Sequence, residues 1–172
     1  MYLTPELKTY YQKELQKCTE CKDTTWDLDK GLLSILTNIN KNPNIQTILS
    51  KKPENIILGN NYSALSYLHI TFSENVKTKL IKILNKLYDK FKKEDVQLYL
   101  IEDEPFILSD ETKKEQKEVL ENPNLCNLEV IINAEKYYNN INQIQINLYD
   151  DSMKKHKEFW KYLEYILTKD EI

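Results

Sequence analysis

Apolar residues recur along the chain with two different periods, and the change from one to the other predicts its elements. From Leu65 to Phe72 the residues alternate, with Leu68, Ile70 and Phe72 on one side and Leu65, Tyr67, His69 and Thr71 on the other. A two-residue period predicts a strand, and two largely apolar sides predict an interior one. Spacings of three and four follow directly. Val76, Leu80, Ile83, Leu84, Leu87, Tyr88 and Phe91 form one stripe, and Lys77, Lys79, Lys82, Lys86 and Lys90 lie mostly off it. With Ser73 as cap and Glu74 in the first turn, this predicts a helix over 74–93. Alternation then returns in Val96, Leu98 and Leu100 against Gln97, Tyr99 and Ile101, so 62–102 reads as strand, helix, strand.

The N-terminal part reads as helical. Thr4-Pro5-Glu6 is a helix start, continued by Leu7, Tyr10, Tyr11, Leu15 and Cys18 on one face. A second helix, capped by Thr25 or Asp27, carries Leu28, Leu32, Leu33, Ile35, Leu36 and Ile39 and stops at Asn40-Lys41-Asn42-Pro43. Ile45, Ile48 and Leu49 predict a short third helix ending before Pro53. Ile56, Ile57 and Leu58 then begin a strand that turns at Gly59-Asn60-Asn61 into the 65–72 strand as a hairpin.

Past Glu102 the chain reads as an acidic turn, a short edge strand at Phe106-Ile107-Leu108 and a polar surface helix within 110–121. Leu128, Val130 and Ile132 alternate in one strand, Tyr137 and Tyr138 lie in a turn, and Ile144, Ile146 and Leu148 alternate in the next. Asp151 or Ser152 caps a closing helix with Phe159, Trp160, Leu163, Ile166 and Leu167 inward. The expected fold is α+β and a single domain over 1–172. It has an N-terminal helical segment, an antiparallel or mixed sheet of about five or six strands, and helices packed on that sheet.

Composition narrows the function. The 172 residues are 41% hydrophobic and 10% aromatic, with twelve tyrosines, which argues for an ordered core. All 24 basic residues are lysine, and the net charge is −3. Without arginine the chain has no guanidinium fork for phosphate or guanine, and without a basic excess it has little to offer nucleic acid. Two glycines, Gly31 and Gly59, are too few for a phosphate-cradling loop or a dinucleotide fingerprint. No run reaches membrane-spanning length, the first residues lack the pattern of a signal peptide, and three cysteines fit a reducing compartment. These features predict a cytoplasmic protein with no cofactor. Cys18-Thr19-Glu20-Cys21 closes a helix instead of opening one and has no second pair, so no metal site is expected.

Two groups of residues carry candidate chemistry. His69-Ile70-Thr71 sets an imidazole and a hydroxyl side by side on one strand face. Over about ten residues, from the apolar pair before it into the helix after it, this resembles the His-x-Thr motif of the two-histidine phosphodiesterases. The resemblance implies His69 and Thr71 as catalytic residues. Those enzymes use two such motifs, one histidine activating the nucleophile and the other protonating the leaving group. The only other histidine here is His156, four residues before Trp160, where stacking at the border of the apolar face is expected; Ile146-Asn147-Leu148 offers no acid or base in the second motif's place. No Ser/His/Asp elbow is recognisable. The second group is a surface: Glu102, Asp103 and Glu104 could steer a basic partner, and Tyr137 and Tyr138 would give contact area at small entropic cost.

The sequence thus favours a small protein-binding molecule of inhibitor or toxin-immunity type, occluding another protein such as a basic toxin or enzyme through Glu102, Asp103, Glu104, Tyr137 and Tyr138. A divergent or degenerate phosphodiesterase-like enzyme centred on His69 and Thr71 is the alternative, and a scaffold module the third reading.

Overall fold

In a computed structural model, which describes residues 1–20, 30–102, 141–169 and 172, the chain is α+β as expected. Helix α1 spans Pro5–Glu20 and α2 Lys30–Ile39. Strands β1 (Ile45–Leu58) and β2 (Asn61–Phe72) form a long hairpin. A 3-10 turn over Glu74–Val76 leads into α3 (Lys77–Leu84) and α4 (Leu87–Lys90), followed by strand β3 (Val96–Ile101). Strand β4 (Gln143–Asp150) and helix α5 (Met153–Lys169) close the fold. Among the described residues the sheet has four strands in the order β1-β2-β4-β3, every pair antiparallel. The strands expected at 106–108 and 128–132, the 110–121 helix, the cap of α2, Cys21 and Cys126 lie outside those residues.

The alternation read from 65–72 is the backbone of this arrangement. Leu68, Ile70 and Phe72 are fully buried beneath the helices, and β2 is interior, with β1 on one side and β4 on the other. One continuous core joins them to Leu80, Ile83, Leu84 and Leu87 of the α3–α4 segment, Ile144, Ile146 and Leu148 of β4, and Phe159, Leu163 and Leu167 of α5. Leu32, Leu36 and Ile39 of α2 complete it. A second, smaller core holds Leu3, Leu7 and Tyr11 against Ile141, with Tyr10 and Ile48 packed on it, and so ties α1 to the other side of the sheet. The N-terminal segment is pinned there by backbone bonds, the Leu3 N–H to Phe72 O (2.9 Å) and the Asn142 N–H to Met1 O (2.7 Å). Thr4 caps α1 as expected, its Oγ1 accepting from the Leu7 N–H at 3.2 Å.

Three expectations are corrected. Residues 45–50 are not a third helix but the first half of β1. The spacing of Ile45, Ile48 and Leu49 fits a strand because the register shifts between Thr47 and Leu49, an irregularity that inserts one residue and breaks the two-residue period. Pro53 does not end the element; it sits inside a second irregularity between Lys51 and Glu54, where a missing N–H costs no ladder bond. The 74–93 helix is broken into a 3-10 turn, α3 and α4, with turn residues at Asn85 and Lys86, although its apolar stripe is buried as read apart from the half-buried Tyr88. Ser73 precedes it without capping through its side chain and donates its hydroxyl to Leu3 O instead (3.5 Å).

The two-residue loop Gly59-Asn60 closes the hairpin, and Gly59 has φ +61° with open space where a Cβ would stand. Backbone conformation, not packing, therefore calls for glycine. Beyond Ala64 the hairpin outruns β4, so Ile57 and Tyr62, paired across its end, are exposed. Stability should follow this division: Leu68→Ala costs about 2–5 kcal/mol and Ile57→Ala at most about 0.5 kcal/mol, read from urea-unfolding midpoints. Equal losses would contradict the placement of the core.

Candidate functional site

The side of the sheet away from the main core is built from the other residues of each strand, and most of them are polar. Across β2 and β4 the register sets Thr71 opposite Gln143, His69 opposite Gln145 and Tyr67 opposite Asn147. Gln46 of β1 stands beside Thr71, and Tyr99 of β3 stands beside Gln145. Exposure rises along these rows. Gln46, Thr71 and Gln143 are fully buried at the end nearest α1, whereas His69, Gln145, Tyr67 and Asn147 are half-buried. Burial of the polar face therefore increases toward α1.

Its hydrogen bonding is incomplete. His69 Nδ1, Thr71 Oγ1 and Gln143 Oε1 are buried atoms with no hydrogen-bond partner. Gln46 is served: its Oε1 accepts from the Lys8 ammonium (3.3 Å), which also donates to Ile45 O at 2.6 Å, and its amide donates to Thr47 O. Burial pushes the pKa of Lys8 down to about 8 and that of His69 down to about 4. At neutral pH His69 is uncharged, offering one donor and one acceptor nitrogen. The Tyr67 ring lies beside it at 5.1 Å.

His156 is on the opposite side of the sheet. It is not at the border of the apolar face but buried within the core, on the side of Ser66 and Leu68. Its Nε2 lies 2.8 Å from the Asp150 carbonyl oxygen and its Nδ1 2.8 Å from Ser66 Oγ. A carbonyl only accepts, so Nε2 carries the proton and Nδ1 accepts from the serine hydroxyl; Ser66 Oγ in turn accepts from the Trp160 indole N–H at 3.3 Å. Ser66, His156 and Asp150 are thus brought together although no sequence motif announced them. The set is a structural chain, because the serine and histidine are out of reach of solvent and Asp150 contributes its backbone. The Asp150 carboxylate is used elsewhere. Burial acts to raise its pKa, but the Lys155 ammonium (2.7 Å) and the Ser152 N–H outweigh that and hold it below the ordinary value.

Of the residues expected at a binding surface, Glu102 is described and is engaged internally. Its carboxylate accepts from the Lys77 ammonium and the Tyr2 hydroxyl, which lower its pKa. Asp103, Glu104, Tyr137 and Tyr138 lie outside the described residues. Among the described residues no group of histidine, cysteine and carboxylate side chains could hold a metal ion, and no helix is long and apolar enough to cross a membrane. No protein-family model, curated protein or solved structure matches the chain.

The neutral imidazole makes stability depend on pH. Below the ordinary value of 6.5 the unfolded chain takes up a proton that folded His69 refuses until about pH 4, so stability falls as pH falls through that window. Substitution His69→Gln should flatten this part of the stability profile, measured by urea unfolding at half-unit pH steps. A variant as acid-sensitive as the parent between pH 6.5 and 5 would contradict the burial of the ring.

Proposed function

We propose that this chain acts by binding and not by two-histidine phosphodiester cleavage, and that one surface it binds with is the polar face of the sheet around His69. The observation that carries the reading is the placement of the two histidines on opposite faces of the sheet, His69 against Gln145 and His156 against Ser66. Paired acid–base chemistry needs one group that takes a proton while another gives one across the same substrate. An amide in the facing position does neither, and an imidazole whose partners are a buried serine and a carbonyl is not available to help. The polar residues of this face are instead suited to hydrogen-bonding a ligand in place.

Occlusion of a partner protein, in the manner of an inhibitor or immunity protein, is the form of binding that the acidic composition favours. Because Glu102 is neutralised by Lys77, the acidic contribution to such a contact rests on Asp103 and Glu104, with Tyr137 and Tyr138 as the contact area. Binding and catalysis separate in one assay. The purified protein should release no p-nitrophenol from bis(p-nitrophenyl) phosphate above the rate of its His69→Ala variant. Turnover that the substitution abolishes would overturn the reading.

A further inference from the structure

The end of the β1–β2 hairpin is built differently from the rest of the sheet. β2 pairs with β4 only as far as Ala64 opposite Asp150, so Asn61, Tyr62 and Ser63 pair with β1 alone among the described residues. Their other edge faces the place that β4 leaves at Asp150, where the chain turns through Asp151 and Ser152 into α5. A cavity of about 480 Å³ opens there, with Ser63 and Tyr149 in its wall. Tyr62 adjoins Ser63 in the chain, and Ile57 is its cross-strand partner. At 70% and 67% these two are the most exposed large apolar side chains among the described residues, and Met153, where α5 begins, is exposed as well. An apolar pair held out on a projecting ribbon and rimmed by charge is the surface pattern of a contact.

Charge at this end is one-sided. Four carboxylate residues line the cavity, Glu94, Asp95, Asp150 and Asp151, against the lysines Lys92 and Lys155. Lys155 is held by Asp150 at 2.7 Å, which leaves Glu94, Asp95 and Asp151 set against Lys92. The Asp150 hydrogen bond raises the pKa of Lys155, and Asp95 and Asp151 add to the effect, so positive charge is favoured here. The N-terminus of α5 does not reverse this. Its first turn is already capped, the Ser152 hydroxyl accepting from the Lys155 N–H (3.4 Å) and the Asp150 carboxylate from the Ser152 N–H (2.7 Å).

These features choose between occupants. A two-fold contact sets a patch against itself, so a second copy would bring the same carboxylates face to face, and like charges across an interface repel. A partner carrying lysine or arginine beside apolar side chains complements both parts of the surface. An extended segment also has the edge of residues 61–63 to lie along, as peptides do when they add a strand to a sheet.

We propose that the projecting end of the β1–β2 hairpin, with Ile57 and Tyr62 as its apolar contact and the cavity lined by Glu94, Asp95 and Asp151 beside it, docks an extended basic segment of another protein. The proposal rests on the reading of this chain as a binding protein. It adds a surface separate from the polar face around His69 and gives the partner its chemistry.

The experiment is a two-dimensional amide NMR titration of the full chain with three synthetic peptides of equal length, alternating lysine with valine, lysine with serine, and glutamate with valine. The lysine–valine peptide should shift the signals of residues 55–63 and 149–155. The lysine–serine peptide should bind about tenfold more weakly, and the glutamate–valine peptide not at all. Ile57→Ser combined with Tyr62→Ser should weaken the lysine–valine peptide by about tenfold while Tm stays within a few degrees of the parent's. Glu94→Gln combined with Asp151→Asn should weaken it too and flatten its dependence on salt. Equal binding of the glutamate–valine peptide, or no shift at this end with any of the three, would overturn the proposal. So would a dimer of the parent in sedimentation that Tyr62→Ser dissociates, since the hairpin end would then hold a second copy. Shifts confined to residues 67–71 and 143–147 would overturn it and leave the binding reading in place.

Discussion

The constraint on which the rest of this structure depends is the alternation of side chains along β2. Successive residues of a strand point to opposite sides, and here the two sides have opposite tasks. Leu68, Ile70 and Phe72 are buried completely under α2, α3, α4 and α5, and burying one such side chain contributes about 1.5–3 kcal/mol. A slip of one residue would bring Tyr67, His69 and Thr71 into that core and turn its apolar row outward. The register with β1 and β4 is therefore fixed by the core, and the arrangement of the polar face follows from it. His69 meets Gln145 and Thr71 meets Gln143 because Leu68 must meet Ile146 and Ile70 must meet Ile144.

The same alternation keeps the two histidines apart and gives them different work. Both rings are removed from water to some degree, but one is fully satisfied and the other is not. His156 passes hydrogen bonds along a chain from the Trp160 indole through the Ser66 hydroxyl to the Asp150 carbonyl, and so fastens α5 to β2 and to the end of β4. In the low dielectric of a core a completed network of this kind specifies one packing, whereas an incomplete one is costly. The polar face around His69 is the incomplete case. Its unmet polar atoms lie beside Gln46 and Lys8, whose polar atoms are met, so the deficit is local to β2 and β4. Sites that bind are where such local costs are found in otherwise consistent sequences.

Much of this frame was legible in the sequence wherever one period ran without interruption. The alternations at 65–72, 96–101 and 144–148 are strands, and the stripe of α5 is its buried face. Legibility failed where backbone irregularities disturbed the count. A register shift at Ile48 and a proline within a second shift made the first half of β1 look like a helix and a stop. Long-range pairing was invisible for a different reason: nothing near Ser66 or His156 in the chain indicates that residues 90 positions apart share a hydrogen bond. At the candidate site His69 and Thr71 stood out by type, but Gln143 and Gln145 did not, since only the antiparallel register sets them opposite. Glu102 was read by its charge as part of a surface, and its use by Lys77 and Tyr2 depends on contacts with parts of the chain distant in sequence.

The central claim is that one sheet carries a satisfied histidine on its apolar face and an unsatisfied one on its polar face. A long-range proton–nitrogen spectrum of the two imidazoles, with nuclear Overhauser contacts recorded on the same sample at pH 7, tests it most directly. His156 should be the Nε2–H tautomer with contacts to Trp160, and His69 a neutral ring with contacts to Tyr67 and none to His156. Contacts between the two imidazoles, or a charged His69 at that pH, would contradict the account.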